Sequence, residues 1–349
     1  MKTRTLTTAI SMAGAIFALS TSAHASEYYN CSNPTGCQPV SSVTPSSDLN
    51  KTQYPVILAH GLAGWTRLFG IIDYWHGIPE ALMSNGADVY ATKTSSLHDS
   101  EYRGEQLLQQ VKTITAITGK QKVNLIGHSH GGHDIRYVAA VAPESVASVT
   151  SVASPHQGSK MADWVVKTVK EGSAKDGYAP GEFNLGSKAA ISFFKMVGNV
   201  MDIGSGISTD QLQEQDGWKA VNALTSDYAQ TFNTKYPAAM PTHYCGNPPK
   251  NYKINGVAYY SFSGVNAFTN PFDPSDYILS LTAIPFDKQD KNDGLVSACS
   301  SRLGYVIRDD YTMNHLDSVN QVLGIVAWGR TQPLAIYRQQ VNRLKNEGY

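Results

Sequence analysis

The chain has 349 residues, with 28 Lys plus Arg against 28 Asp plus Glu, and 42% of its side chains are apolar. That length can bury a sizeable core in one large domain or two small ones, and the composition is neither disordered nor collagenous. Balanced charge without a basic run removes any electrostatic basis for nucleic-acid binding.

Lys2 and Arg4 precede an apolar stretch, 6–19, that ends at Ala23-His24-Ala25. A basic start, a hydrophobic run and a small-x-small site predict a signal peptide over 1–25, cleaved before Ser26. The run is too short, and too interrupted by Thr and Ser, for a bilayer anchor. No later stretch is long and apolar enough to span, so an exported, soluble protein is expected. Four cysteines remain, Cys31, Cys37, Cys245 and Cys299. An even number in an exported chain reads as two disulfides, with three pairings open. The turn sequence Asn33-Pro34-Thr35-Gly36 could bring Cys31 to Cys37, which would leave Cys245 for Cys299.

Residues 26–50 are polar and read as an extended N-terminal arm. A strand over 56–59 follows, then a helix over 74–85 ended by Asn85-Gly86, and a strand over 88–92. A helix over 102–118 carries Leu107, Leu108, Val111, Ile114 and Ile117 on one face and is capped by Gly119. A strand over 123–126 runs into Gly127-His128-Ser129-His130-Gly131-Gly132. A helix with Ile135, Val138 and Ala139 comes next, then a strand over 148–153. Strands alternate with helices without tight hairpin turns, which predicts the α/β class with a mostly parallel sheet. The stretch 160–250 lacks strand signals and reads as a helical insertion. Strands resume over 258–264 and 295–298, and helices over 317–326 and 333–345 close a domain spanning 51–349.

Gly127-His128-Ser129-His130-Gly131 matches G-x-S-x-G between a strand and an amphipathic helix. Small residues two before and two after the serine permit a tight turn that lifts its hydroxyl above the sheet edge. The N–H of His130, opening the helix, then faces a developing oxyanion. A serine needs a base oriented by a carboxylate, and in this architecture the chain order is Ser, acid, His. His156 comes too early, and His243 lies in a Pro-rich loop. His315 comes late and just before a predicted helix. Asp293, in Asn292-Asp293-Gly294, is best placed as the acid, with Asp290, Asp309 and Asp310 as competitors. The loop after the first strand, His60-Gly61-Leu62-Ala63-Gly64, offers the Leu62 N–H as the second oxyanion donor.

At these residues the chain resembles the secreted Pseudomonas-type triacylglycerol lipases, the calcium-dependent, foldase-assisted lipases of α/β-hydrolase fold. Matching stretches are 54–61, 103–111, 123–132, Asn292-Asp293-Gly294-Leu295-Val296 and Met313-Asn314-His315-Leu316-Asp317. The resemblance implies Ser129 as nucleophile, His315 as base, Asp293 as its orienter, and an oxyanion hole from the N–H groups of Leu62 and His130. The family's single disulfide falls on Cys245 and Cys299; the Cys31–Cys37 pair departs from the pattern. A structural Ca²⁺ is implied, held by Asp273 and Asp317 with the carbonyls of Gln321 and Ile325, oxygen ligands that suit the ion. A lid is implied over 189–201, with Ile191, Phe193, Phe194, Met196, Val197, Val200 and Met201 forming an apolar underside. The resemblance also implies a membrane-anchored foldase, export through the periplasm, and a substrate at the lipid–water interface. The expected function is hydrolysis of long-chain triacylglycerols through an acyl-enzyme. The alternatives are a carboxylesterase or polyester hydrolase acting on short-chain or soluble esters with the same triad, and a silent binding protein that kept the fold.

Overall fold

The computed structural model describes residues 25–33, 36–177, 201–209, 211–329 and 331–349, with single positions at 179, 182, 184, 188, 195, 198 and 199. The expected signal peptide, Ala25 apart, and nearly all of the expected lid over 189–201 lie outside the described residues.

The strands in chain order are β1 (Ser26–Asn33), β2 (Gly36–Val43), β3 (Val56–Ala59), β4 (Arg67–Leu68), β5 (Ile72–Asp73), β6 (Val89–Thr92), β7 (Val123–His128), β8 (Val146–Val152), β9 (Lys253–Ile254), β10 (Val257–Gly264) and β11 (Tyr305–Tyr311). The helices are α1 (Ile78–Met83), α2 (Ser100–Thr118), α3 (Gly131–Val141), α4 (Lys160–Lys175), α5 (Gly217–Asn222), α6 (Ser226–Lys235), α7 (Pro274–Thr282) and α8 (Pro333–Asn346). The main sheet runs β11-β10-β8-β7-β3-β6-β1-β2, with β9 added to β10. Pairings from β1 through β11 along this path are parallel, and only β1–β2 and β9–β10 are antiparallel.

Helices on both faces explain why β3, β6, β7, β8 and β10 are buried at every position, as the unbroken apolar runs of the inner strands require. One core packs Trp75, Ile78, Leu82, Tyr337 and Val341 on one side of the sheet, and the other packs Leu107, Val111, Ile114, Ile135 and Val138 on the opposite side. Within the sheet, Ser148 Oγ donates to Asn124 Oδ1 at 2.7 Å, which pairs two buried polar side chains on neighbouring strands. Helix α2 begins at an Asp99 cap that accepts the Tyr102 N–H at 2.9 Å and ends at Gly119 with φ 65°. Ile117, expected on its apolar face, is instead 53% exposed, because the last turn runs past the edge of the core.

Five expectations need correction. The arm over 26–50 is not set apart from the domain: β1 lies parallel to β6, its Tyr28 buried, and β2 turns back along β1. Cys31 bonds Cys37 across this hairpin, and Cys245 bonds Cys299. The stretch 295–298 is a turn joined only by an isolated bridge between Asn292 and Ser297, because its N–H groups serve Asp293 rather than a ladder. The last strand is β11, whose Tyr-Val-Ile-Arg-Asp-Asp-Tyr sequence, charged on its exposed side, carries no simple alternation. The expected helix over 317–326 is a 3₁₀ turn at Asp317–Val319, stopped by positive φ at Asn320, Leu323 and Gly324. The first helix is likewise confined to α1, because Gly77, with φ 69°, and Pro79 open it only there. Hairpin connections do occur, at β1–β2, β4–β5 and β9–β10.

Candidate active site

Strand β7 passes into α3 through a bend at Ser129, whose φ of 55° puts a non-glycine residue in the left-handed region. The Ser129 N–H donates to the Val152 carbonyl at 2.9 Å, and its carbonyl accepts from Gly132 N–H at 3.0 Å. Glycine is obligatory on both sides of this bend. A Cβ at Gly127 would run into the Gly131 carbonyl, and one at Gly131 into the Ala59 carbonyl. The turn is therefore packed backbone against backbone, and the serine side chain is left facing the end of the sheet.

Ser129 and His315 line one cavity of about 700 Å³ whose wall is otherwise mainly apolar, with Leu62, Trp65, Val165 and Leu224 among its residues. His315 is buried, and its Nδ1 lies 2.8 Å from Asp293 Oδ2. The other carboxylate oxygen, Oδ1, accepts the N–H groups of Leu295 at 3.0 Å and Val296 at 2.8 Å. The His315 N–H also donates to the Asp293 carbonyl at 2.9 Å. Acid and base are thus tied by side chain and main chain, and the carboxylate is oriented by two backbone donors. A serine on a strained turn, a histidine with a buried carboxylate behind it and an apolar cavity form the parts required for acyl transfer.

Leu62 lines the same cavity, and His130 is the N-cap residue of α3. Neither of their backbone N–H groups meets an acceptor among the described residues. The loop carrying Leu62 is held from below by Arg103, which sequence reasoning left without a role. Its Nη2 donates to the His60 carbonyl at 2.8 Å and to Asp134 Oδ2 at 2.7 Å. Both charged side chains are fully buried, and burial pushes the Asp134 carboxyl up to about 6 in spite of the guanidinium. Removing one partner strands the other. Asp134→Ala is expected to cost about 3–5 kcal/mol of unfolding free energy in a denaturant titration. A cost below 1 kcal/mol would show that the pair is not a structural tie.

The competing residues lie elsewhere. His156 is buried against Ser151 Oγ at 2.6 Å and Arg136 at 3.2 Å, and His243 is exposed beside Thr242. Asp290 accepts from the Tyr244 hydroxyl, Asp309 pairs with Arg302, and Asp310 pairs with Arg308.

Two of the four expected calcium ligands keep a carboxylate oxygen unpaired. Asp273 and Asp317 are buried, and Asp273 Oδ2 and Asp317 Oδ1 each lack a hydrogen-bond donor. The remaining oxygens are used: Asp273 Oδ1 accepts from the Ser275 N–H at 2.8 Å, and Asp317 Oδ2 from Thr269 Oγ1 at 2.8 Å and the Asn314 N–H at 3.0 Å. Burial, together with the charges of Asp276 and Asp273, pushes the Asp317 carboxyl up to about 7. Orphaned carboxylate oxygens in a buried site are costly unless a cation completes them. Gln321 and Ile325 belong to the irregular turn that follows Asp317. Among the described residues no three His, Cys, Asp or Glu side chains are placed to hold one metal ion, so carbonyls would have to complete any shell here.

Comparison with known proteins places this geometry in context. Residues 54–174 match a family model described as alpha/beta hydrolase fold. A triacylglycerol lipase of Vibrio cholerae is 45% identical over 298 residues, covering 85% of this chain and 89% of that protein. A triacylglycerol lipase of Pseudomonas fragi is 37% identical over 308 residues, covering 86% of this chain and 99% of its own length. Among solved structures, a Staphylococcus hyicus lipase superposes with a TM-score of 0.52 at 16% identity, covering 87% of this chain and 99% of that one, a likeness of fold alone.

Proposed function

The chain belongs to the bacterial triacylglycerol lipases of α/β-hydrolase fold, and from that premise we propose that Ser129, His315 and Asp293 carry its reaction. It is a triacylglycerol lipase. In our reading His315 Nε2 takes the Ser129 proton as Oγ attacks the ester carbonyl. The N–H groups of Leu62 and His130 receive the negative charge on the carbonyl oxygen. His315 then gives its proton to the departing alcohol, and Asp293 holds the imidazolium that exists between the two transfers. Water deprotonated by the same imidazole releases the fatty acid. The observation that carries this reading is the Asp293–His315 contact at one wall of the cavity that Ser129 also lines.

The apolar lining favours long acyl chains over the short-chain or soluble esters of a carboxylesterase or polyester hydrolase, since each buried methylene contributes about 0.8 kcal/mol. Hydrolysis of emulsified long-chain triacylglycerol should therefore exceed that of a dissolved short-chain ester at equal ester concentration. Activity confined to the dissolved ester would reject the long-chain assignment.

Calcium is a second part of the proposal. Asp273 and Asp317 fit a hard cation through their orphaned oxygens, and the carbonyls of Gln321 and Ile325 would join them. When bound, the ion supplies charge neutralisation rather than chemistry. Asp317 stands two residues beyond His315, so the ion would fix the loop of the base. Chelation is expected to lower the thermal midpoint and the activity together, both restored by added Ca²⁺ and neither restored in Asp317→Ala. A chelator without effect on the midpoint would remove calcium from the account.

Both disulfides suit an oxidising compartment. Among the described residues no helix is long and apolar enough to cross a membrane. Secretion through the periplasm with a membrane-anchored foldase fits these facts and follows from the resemblance.

A further inference from the structure

The three loops of the site are joined by a chain of hydrogen bonds through two side chains that the reaction itself does not use. The Gly61 N–H donates to the Tyr74 hydroxyl oxygen at 3.0 Å. The Tyr74 hydroxyl reaches His128 Nδ1 at 2.7 Å, and His128 Nε2 reaches the His315 carbonyl at 3.1 Å. Every residue in the chain is buried.

Its ends fix its direction. A backbone N–H can only donate and a carbonyl can only accept, so the tyrosine oxygen accepts from Gly61 and its own proton points to Nδ1. The imidazole must then be neutral, with its single proton on Nε2 toward His315. Burial, reinforced by His315, holds the His128 ring well below its usual protonation range, as this tautomer needs. Three successive bonds therefore leave no polar atom of either side chain unpaired.

Each residue at which the chain arrives adjoins a working atom. Gly61 precedes Leu62, His128 precedes Ser129, and the accepting carbonyl is that of His315 itself. The His128 and His315 rings also pack at a centroid distance of 4.6 Å. There is no slack at the other end, because a Cβ on Gly61 would stand 2.8 Å from Ser129 Cβ and 2.9 Å from the Tyr74 hydroxyl.

We propose that Tyr74 and His128 are positioning residues for ester hydrolysis: together they set the distance between the Leu62 oxyanion donor, the Ser129 hydroxyl and the His315 base. This inference rests on the assignment of Ser129 and His315 given above. Displacement of a catalytic group by about 1 Å costs on the order of 10²-fold in rate, so breaking the chain should act on the chemical step.

The test uses Tyr74→Phe, which removes one oxygen and keeps the ring in place, with His128→Phe, His128→Gln and the double variant Tyr74→Phe/His128→Phe. Active sites are first titrated with a phosphonate ester, so that unfolded protein is not counted, and kcat and KM are then measured on a dissolved short-chain ester. Expected are a fall in kcat per titrated site of ~10–100-fold with KM within about 2-fold in Tyr74→Phe. The double variant should be no worse than the poorer single one, because either change breaks the same chain. His128→Gln, whose amide can still donate toward the His315 carbonyl, should be less impaired than His128→Phe. A kcat per site within 2-fold of the parent in Tyr74→Phe, or losses that multiply in the double variant, would overturn the proposal. Failure of the phosphonate to label Ser129 in the parent protein would instead overturn the assignment on which it stands.

Discussion

Asp293→Asn is expected to lower kcat by about 10⁴-fold while leaving the fold and the cavity intact. The reason lies in the hydrogen-bond polarity around the carboxylate. Oδ1 accepts two backbone N–H groups, from Leu295 and Val296, and Oδ2 faces His315 Nδ1. An asparagine can satisfy only one of these sides. With its oxygen toward the backbone donors, its amide group faces Nδ1, and the ring proton moves to Nε2, which then cannot take the serine proton. With the amide reversed, its N–H bonds meet the N–H groups of Leu295 and Val296. Either arrangement removes the base, and the negative charge that would balance the imidazolium is gone as well. The same variant should keep its thermal midpoint within a few degrees. A turnover within tenfold of the parent would show that another carboxylate orients His315.

Acid is expected to unfold the protein with a midpoint between about pH 4 and 5. His60, His128, His130, His133 and His156 are all buried. Burial lowers each of them from the ordinary 6.5, to about 3 for His133 and well below the usual range for the other four. Nearby cations add to this: Lys93 and Arg103 at His60, Arg103 at His130, and Arg136 at His133 and His156. A depressed folded-state value means that the unfolded chain gains protons, as the pH falls through 6.5, that the native chain refuses. Stability is therefore untouched above that point and declines below it, by about 1.4 kcal/mol per pH unit for each histidine. Two carboxyls pull the other way, because Asp134 near 6 and Asp73, also raised, protonate first in the native state, and Asp317 joins them where no cation holds it. The five histidines outnumber these carboxyls, so the net effect is a loss of stability that grows as the pH falls below 6.5 and draws on a reserve of only about 5–15 kcal/mol. Circular dichroism across a pH series checks this. A native spectrum persisting at pH 3.5 would contradict it.

The inner strands were legible because a parallel sheet covered on both faces demands unbroken apolar runs, and Val56 to Ala59 and Val123 to Ile126 display them. The bend at Ser129 was legible for a different reason: its glycines are fixed by backbone contacts that tolerate no Cβ. Other features leave no local trace. Strand β11 carries Arg308, Asp309 and Asp310, which pair with neighbours outside the apolar core, so its sequence reads as a charged loop. The hairpin of β1 and β2 acquires its place only from β6, nearly sixty residues downstream. Arg103 and Tyr74 could not be found from pattern, since each acts through partners distant in the chain, Asp134 and His128. Motif and chain order pointed to Ser129, His315 and Asp293, with three other aspartates still competing, and the Asp293–His315 contact came only with the fold.

The central claim is that Ser129 is the nucleophile of an ester hydrolase whose base is His315. Its most direct test is inactivation by a long-chain phosphonate ester followed by peptide mapping of the modified protein. The account predicts a single adduct on Ser129 whose formation parallels the loss of hydrolysis and is slowed severely in Asp293→Asn. An adduct on any other residue, or full hydrolytic activity in protein labelled at Ser129, would contradict it.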